Sequence, residues 1–482
     1  MTAHTIAATV STVSAAPAVA DSGNASWLMM ATALVLLMAP GVAFFYGGMV
    51  RTGQIVAMLK MIFFCMVIVT VLWFAIGYSL AFGPDAGGLG VIGTLDHAFL
   101  RGIDADSLTG SVPTVTFVVF HLSFAVVTVA LIAGSIAGRA KMGGWIAFVI
   151  AWTLLVYIPM AHWVFDPDGW VAKQLRAVDF SGGTVVEIGS GAAGLALAIV
   201  AGKRADFDRQ GIRPHNLPLV VIGLSLMWFG WFGFNTGSSL ETPGGAAMAF
   251  LNSQLAAGAA MAGWAVTSWW RTRQVGLLDM CMGAVTGLVA MTPLAGGVSP
   301  VWATVIGFLA GLTCAFAISW KYRLGVDDTL DVVGIHGWGG IVGMVMAGLC
   351  ATGTLTGHKG LFYGGSWDLL SRQLTATVVL GLFSFVMTAL IGKAIEVTIG
   401  LRQPGGMVEK EQAYADALSD NLEQLSTGDS RAEAVGEEPE SASALVARLR
   451  EVLLTAPQGG GDRPDGGDRP GGGDRPGGGH RG

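Results

Sequence analysis

Long apolar runs alternate with short polar ones through most of the chain. Eleven runs reach about 20 residues, near 26–50, 55–82, 113–138, 142–165, 183–202, 217–235, 245–270, 276–295, 299–320, 332–353 and 373–400. A helix crossing a hydrocarbon core about 30 Å thick needs about 20 mostly apolar residues. Each run therefore predicts one membrane-spanning helix, and the chain reads as an all-α polytopic membrane protein with eleven transmembrane helices. Residues 1–25 precede the spans, 26–402 contain them, and 403–482 form a polar tail.

Charge sharpens this pattern. The 482 residues are 52% hydrophobic and 12% charged, where a soluble domain is about one quarter charged. Of the 60 charged residues, 24 lie after position 400. The rest are too sparse to solvate a large soluble body. The loops alternate in basic content. One set carries Arg51, Arg139, Lys141, Lys203, Arg204, Arg209, Arg213, Arg271, Arg273, Lys321, Arg323 and Arg402; the other carries Arg101, Lys173, Arg176, Lys359 and Arg372. The basic excess marks the cytoplasmic side. The N-terminus is then outside and the C-terminus cytoplasmic, in a cell membrane.

The remaining composition mostly excludes functions. The net charge of -6 arises largely in the tail, and no basic stripe suggests nucleic acid. Cys65, Cys281, Cys314 and Cys350 sit in apolar runs without ligand spacing, so they read as small buried residues rather than a disulfide framework or a metal site. No nucleophile–base set or phosphate loop points to an enzyme, and no cofactor is implied. Ala18-Val19-Ala20 resembles a signal-peptidase site without a basic region before it, so cleavage and an external extension both stay open. In the tail, residues 442–454 have apolar positions at helical spacing. A Gly-Asp-Arg-Pro unit recurs at 461–464, 467–470 and 473–476, a composition that favours disorder.

Ionisable residues inside spans are costly and commonly functional. Lys60 lies near a span end and can snorkel. Lys393 and Glu396, three apart, can pair. Glu187 and His336 have no such explanation. Each sits in an apolar, Gly-rich span soon after an aspartate, Asp179 and Asp331 respectively. They are five spans apart, as in two five-helix halves forming an inverted repeat with a site near the midplane, plus a final helix. A lone core histidine packed by its neighbours is the plainer alternative.

Several segments resemble the ammonium transporter (Amt/Mep/Rh) family. They are Pro40 to Arg51, Asp179 to Arg204, Arg213-Pro214-His215-Asn216-Leu217-Pro218, Gly230 to Ser238, Val326 to Gly337 and Ile399 to Arg402. The resemblance implies a homotrimer with one eleven-helix pore per subunit. It implies a vestibule for NH4+ formed by Phe124, Phe165, Ser238 and Asp179, a gate of Phe124 and Phe234, and pore-adjacent Trp231 and Tyr157. Glu187 and His336 fall on the family's two pore histidines, so this chain resembles members with Glu at the first position. Phe165 stands where the family usually has Trp, with Trp163 as a possible stand-in. His121 stands where the family tends to Gln, and either touches the vestibule or packs. Glu409 to Tyr414 only faintly resemble the segment by which relatives meet a PII-type regulator, which leaves that partner in doubt.

This chemistry suits ammonium. Aromatic faces hold a cation by about 0.5–2 kcal/mol each, and a hydroxyl accepts a directional hydrogen bond. Shedding the proton lets neutral NH3 cross an apolar pore that excludes potassium. A Glu187–His336 pair would share the shed proton and titrate as a unit, making transport electrogenic. The alternatives are a sensor on the same fold and a neutral gas channel like the Rh branch.

Overall fold

The computed structural model describes residues 19–204, 207, 214–241, 244–354 and 356–403. The sequence readings for most of the N-terminal segment and for the tail beyond 403 lie outside these residues. That includes the 442–454 helix, the Gly-Asp-Arg-Pro repeat and the Glu409–Tyr414 segment.

Eleven long helices form where the apolar runs place them. They are α1 (Ser22–Met49), α2 (Thr52–Phe82), α3 (Thr114–Ile136), α4 (Met142–Phe165), α5 (Gly183–Ala201), α6 (Leu217–Gly237), α7 (Gly244–Thr272), α8 (Leu277–Leu294), α9 (Pro300–Leu324), α10 (Val333–Cys350) and α11 (Trp367–Thr398). Among the described residues, ten are long and apolar enough to cross a membrane. The exception is α7, a 29-residue helix whose apolar run is diluted by Asn252, Ser253 and Gln254. Two of these are consumed internally. Asn252 donates to the carbonyls of Ala295 and Val298, and Ser253 accepts from the Asn235 amide. The last helix begins six residues before its apolar run, because Ser366 accepts the Asp368 N–H and caps it. A two-residue hairpin, Leu108–Thr109 against Val112–Pro113, is the one paired sheet among the described residues.

Glycine sets the closest packing. Where α1 and α6 run side by side, a Cβ on Gly223 would lie 2.2 Å from the Phe45 nitrogen. One on Gly48 would lie 2.8 Å from Asn216 O. Small residues permit such backbone approach in lipid. Large apolar side chains that stay exposed, such as Val67 and Val71 on α2 and Val378, Leu382 and Leu390 on α11, mark faces suited to acyl chains.

The inverted repeat is visible in hydrogen bonds. Before α5, the N–H groups of Phe180 and Ser181 donate to Pro293 O and Thr292 O at the end of α8. Before α10, those of Thr329 and Leu330 donate to Ser135 O and Gly134 O at the end of α3. Each segment follows an aspartate that caps its helix. This corrects one sequence expectation: the counterpart of Asp179 is Asp328, which accepts the Val333 N–H at 2.8 Å. Asp331 instead pairs with Lys321 at 2.7 Å. Glu187 and His336 thus follow their caps by the same eight positions.

On the basic-loop side, fully buried Arg139 donates to the carbonyls of Ser135, Gly202 and Asp327, and Asp327 also takes a two-pronged contact from Arg204. The expected Lys393–Glu396 pair is replaced by a helix-end contact. The Glu396 carboxylate accepts the N–H groups of Leu401 and Arg402.

Candidate functional site

The sequence-derived residues come from five helices, α3, α4, α5, α6 and α10. Phe124 of α3 and Phe234 of α6 are buried and stacked, with centroids 4.1 Å apart and planes 11° from parallel. At that separation the rings are in van der Waals contact, which leaves no open path between them. Trp231, one turn before Phe234, meets it edge-on at 5.8 Å and is fixed by its indole N–H donating to Thr292.

Phe165, the last residue of α4, stands perpendicular to Phe124 at 6.0 Å. His121 packs against both, 5.3 Å from Phe165 and 5.6 Å from Phe124, and also on Phe82 and Phe117. The two readings of His121 therefore merge: it packs, and the rings it packs on include Phe165 and Phe124. Its Nδ1 is buried without a hydrogen-bond partner. Trp163 is not a stand-in for the missing indole. It turns away to Trp170 and Phe383 and donates to Val91 O. Helical spacing explains this, since residues two apart on a helix face different ways.

Asp179 organises the start of α5. One carboxylate oxygen accepts the N–H groups of Gly182 and Gly183; the other accepts the N–H and hydroxyl of Thr184. Burial pushes this carboxyl up while those hydrogen bonds pull it back. Gly182 has φ +94°, and a Cβ there would sit 3.1 Å from the Phe165 ring. The cap, the left-handed glycine and the aromatic ring thus form one unit. The Ser238 hydroxyl donates to Phe234 O at 2.9 Å, leaving its lone pairs as acceptors. At the opposite end, burial and then the charge of Asp331 push Asp328 up to about 6.

Glu187 and His336 meet across the two capped helices. Glu187 Oε2 lies 2.7 Å from His336 Nδ1, and both side chains are buried. Oε1 of Glu187 has no hydrogen-bond partner among the described residues. Both residues lie within π-helical turns, Gly183–Ile188 and Val333–Gly337, a distortion that recurs at functional sites. The helices cross glycine on glycine: a Cβ on Gly191 would fall 2.3 Å from the Gly337 Cα. Tyr157 is the least connected of the sequence-derived set. It is fully buried beside Trp73 and Trp152, and its hydroxyl has no partner.

An apolar cavity of about 440 Å³ lies between α5, α9, α10 and α11. It shares Gly191 and Gly337 with the helix crossing but includes neither Phe124 and Phe234 nor Glu187 and His336. No cluster of three metal-ligating side chains occurs among the described residues, and the four cysteines are free and buried.

Sequence reading passed over His162. It is fully buried in α4, with Nδ1 2.9 Å from Ala81 O and Nε2 3.3 Å from Asp85 Oδ1. The signal was available, since His162 is an ionisable group inside an apolar run, as Glu187 and His336 are.

Residues 26–417 match the model of the Ammonium Transporter Family. The chain is 43% identical over 413 residues to an ammonium transporter of Mycobacterium tuberculosis, covering 80% of this chain and 87% of that one. It is 41% identical over 382 residues to the ammonium transporter Amt1 of Archaeoglobus fulgidus, covering 79% and 94%. Among solved structures it is similar to Candida albicans Mep2, with TM-score 0.74, 32% identity and coverage of 80% and 87%. It is also similar to a structure described as a sensor Amt protein, with TM-score 0.73, 27% identity and coverage of 81% and 96%.

Proposed function

The chain belongs to the ammonium transporter family, and on that premise we propose that it strips the proton from NH4+ at the Phe124–Phe234 gate, passes NH3 through the pore and returns the proton through the Glu187–His336 pair. That it is an ammonium transporter rather than an enzyme follows from the family. The route rests on its own geometry, and one observation carries it: the 2.7 Å contact between two buried ionisable groups.

Capture comes first in this scheme. Phe124 and Phe165 offer π faces, and the Ser238 hydroxyl offers an acceptor because its own proton is committed to Phe234 O. Asp179 acts through position, fixing Gly182 against Phe165. Beyond the gate an intact cation would meet an apolar path and a large desolvation cost. Glu187 with His336 supplies a proton store there. Glu⁻ with HisH⁺ and GluH with neutral His hold the same number of protons, so transfer along a 2.7 Å contact needs no charge separation from outside. The members with two histidines share a proton between like groups; here a carboxylate does one imidazole's part, which makes ammonium-evoked current the expected signature.

The wider assignment follows the same premise: residues 26–402 as the membrane domain, the N-terminus outside, the tail in the cytoplasm, and a homotrimer in a cell membrane. A PII-type regulator has weak support, for the reason given by Glu409 to Tyr414. A sensor role is the second reading, favoured by the likeness to the sensor Amt structure. Currents from liposomes on a solid-supported membrane test the proposal. Wild type and Glu187→His are expected to give ammonium-evoked current, and His336→Ala to give almost none. A folded wild-type protein that gives no current, or that fails to restore ammonium-limited growth in a transporter-deficient host, would move the balance to the sensor.

A further inference from the structure

His162 is a buried ionisable group that the proposed route does not use, and its surroundings pose a proton-counting problem. Its Nδ1 faces Ala81 O, a pure acceptor, at 2.9 Å, so Nδ1 carries hydrogen. Its Nε2 faces Asp85 Oδ1 at 3.3 Å. An ionised carboxylate is also a pure acceptor. Both nitrogens are satisfied only if one further proton lies between Nε2 and Asp85, on either partner. The His162 side chain is fully buried, so water does not substitute, and loss of that proton would set two lone pairs against each other.

The contact is part of a seam. Asp85 Oδ1 also accepts the Gly90 N–H at 3.0 Å. Val91 O accepts the Trp163 indole N–H at 2.8 Å, and Gly90 O accepts the Trp170 N–H at 3.1 Å. A Cβ on Gly90 would lie 2.5 Å from the Trp170 nitrogen, and Gly90 has φ +69°. Residues 85–93 are thereby sewn along residues 162–170, and Phe165 lies inside the sewn stretch. His162 precedes it by three residues, on the same helical face.

The other charges nearby are few. Beyond α4 stand Asp166, whose carboxylate accepts the Asp168 N–H, and Asp168, which pairs with Lys173 at 2.8 Å. From α2, Tyr78 lies within electrostatic reach of Asp166. Lys173 is thus engaged with Asp168, and the remaining groups are acidic. The Asp85 carboxyl is held below the usual range, first by the Gly90 N–H.

We propose that His162 and Asp85 form a shared-proton clasp that positions the vestibule ring Phe165, so that alkalinity on that face weakens ammonium capture while the pore rate stays unchanged. The inference rests on the reading of Phe165 as part of the capture site. His162 touches neither the ion nor the pore pair; it is a positioning residue.

The test uses the full-length protein in liposomes, with KM in terms of NH4+ and maximal current measured between about pH 5 and about pH 8, where histidine titrates. In the wild type, KM is expected to rise roughly threefold to tenfold with pH, as suits loss of part of one charge-assisted hydrogen bond, with maximal current unchanged. Asp85→Asn and His162→Gln remove the shared proton, so KM should lose this pH dependence. Asp85→Asn is isosteric and carries the test if His162→Gln does not fold. Variants that keep the wild-type slope, or a slope that appears in maximal current instead of KM, would overturn the clasp. Hydrogen exchange of residues 85–93, corrected for intrinsic rate, gives a readout independent of transport. It should accelerate with pH in the wild type and not in Asp85→Asn. Exchange that follows this pattern without any wild-type current would sink the transport route and leave the clasp standing; equal exchange in both proteins would sink the clasp.

Discussion

Replacing Glu187 by Gln separates a proton relay from a packing contact. Gln has nearly the same volume and can still bond His336 Nδ1 across the present 2.7 Å. What it cannot do is take up a proton. A hydrogen bond to a charged group contributes about 1.5–3 kcal/mol and a neutral one about 0.5–1.5 kcal/mol, so the expected loss of stability is about 1 kcal/mol. If the pair served packing alone, transport would fall by no more than about fivefold, the factor that such an energy carries. Positioned proton transfer commonly contributes about 10²–10⁴ in rate, so the relay expects a fall of at least about a hundredfold. The assay is ammonium-evoked current on a solid-supported membrane, with thermal unfolding of the same preparation as control. A Gln variant that folds and keeps current within about fivefold of wild type would falsify the relay.

Three further outcomes follow from the geometry. Phe165→Trp restores the larger π face against Phe124, and KM for ammonium should fall severalfold, in line with about 0.5–1 kcal/mol from a cation–π contact; an unchanged KM would count against Phe165 as a vestibule ring. Gly191→Ala puts a methyl 2.3 Å from the Gly337 Cα, so the protein should lose about 1–3 kcal/mol of stability and most of its transport, read by thermal unfolding and current together. Asp328→Ala removes the acceptor of the Val333 N–H and should cost about 0.5–2 kcal/mol as a lost helix cap, whereas Asp331→Ala should leave the α10 cap intact; equal capping losses in the two would contradict the assignment.

The spans were legible because lipid imposes a length and a composition that soluble folds do not. Ten of the eleven long helices carry that signal openly. The remaining one, α7, was found from its helical length and apolar background despite Asn252 and Ser253. Glu187 and His336 were legible because a charge in an apolar run needs a reason. The same reasoning would have found His162, had Asp85 been recognised as its partner 77 positions away; separation in sequence hides such pairs. Asp328 was hidden differently. Asp327, Asp328 and Asp331 stand close together in the chain, and only backbone direction reveals which of them caps α10, which binds Lys321 and which binds Arg204. Trp163 misled because chemical likeness was weighed before helical direction.

The crossing of α5 on α10 has a consequence for how this pore can change over evolutionary time. The two backbones touch through glycines, so the gap spanned by the side chains at 187 and 336 is set by the main chain, whichever groups fill it. A scaffold of this kind would accept side chains of similar reach at 187 and 336 without moving the backbones. Under the proposed relay, imidazole and carboxylate would be alternative inserts in one frame, and proton affinity could be retuned at position 187 without rebuilding the helices.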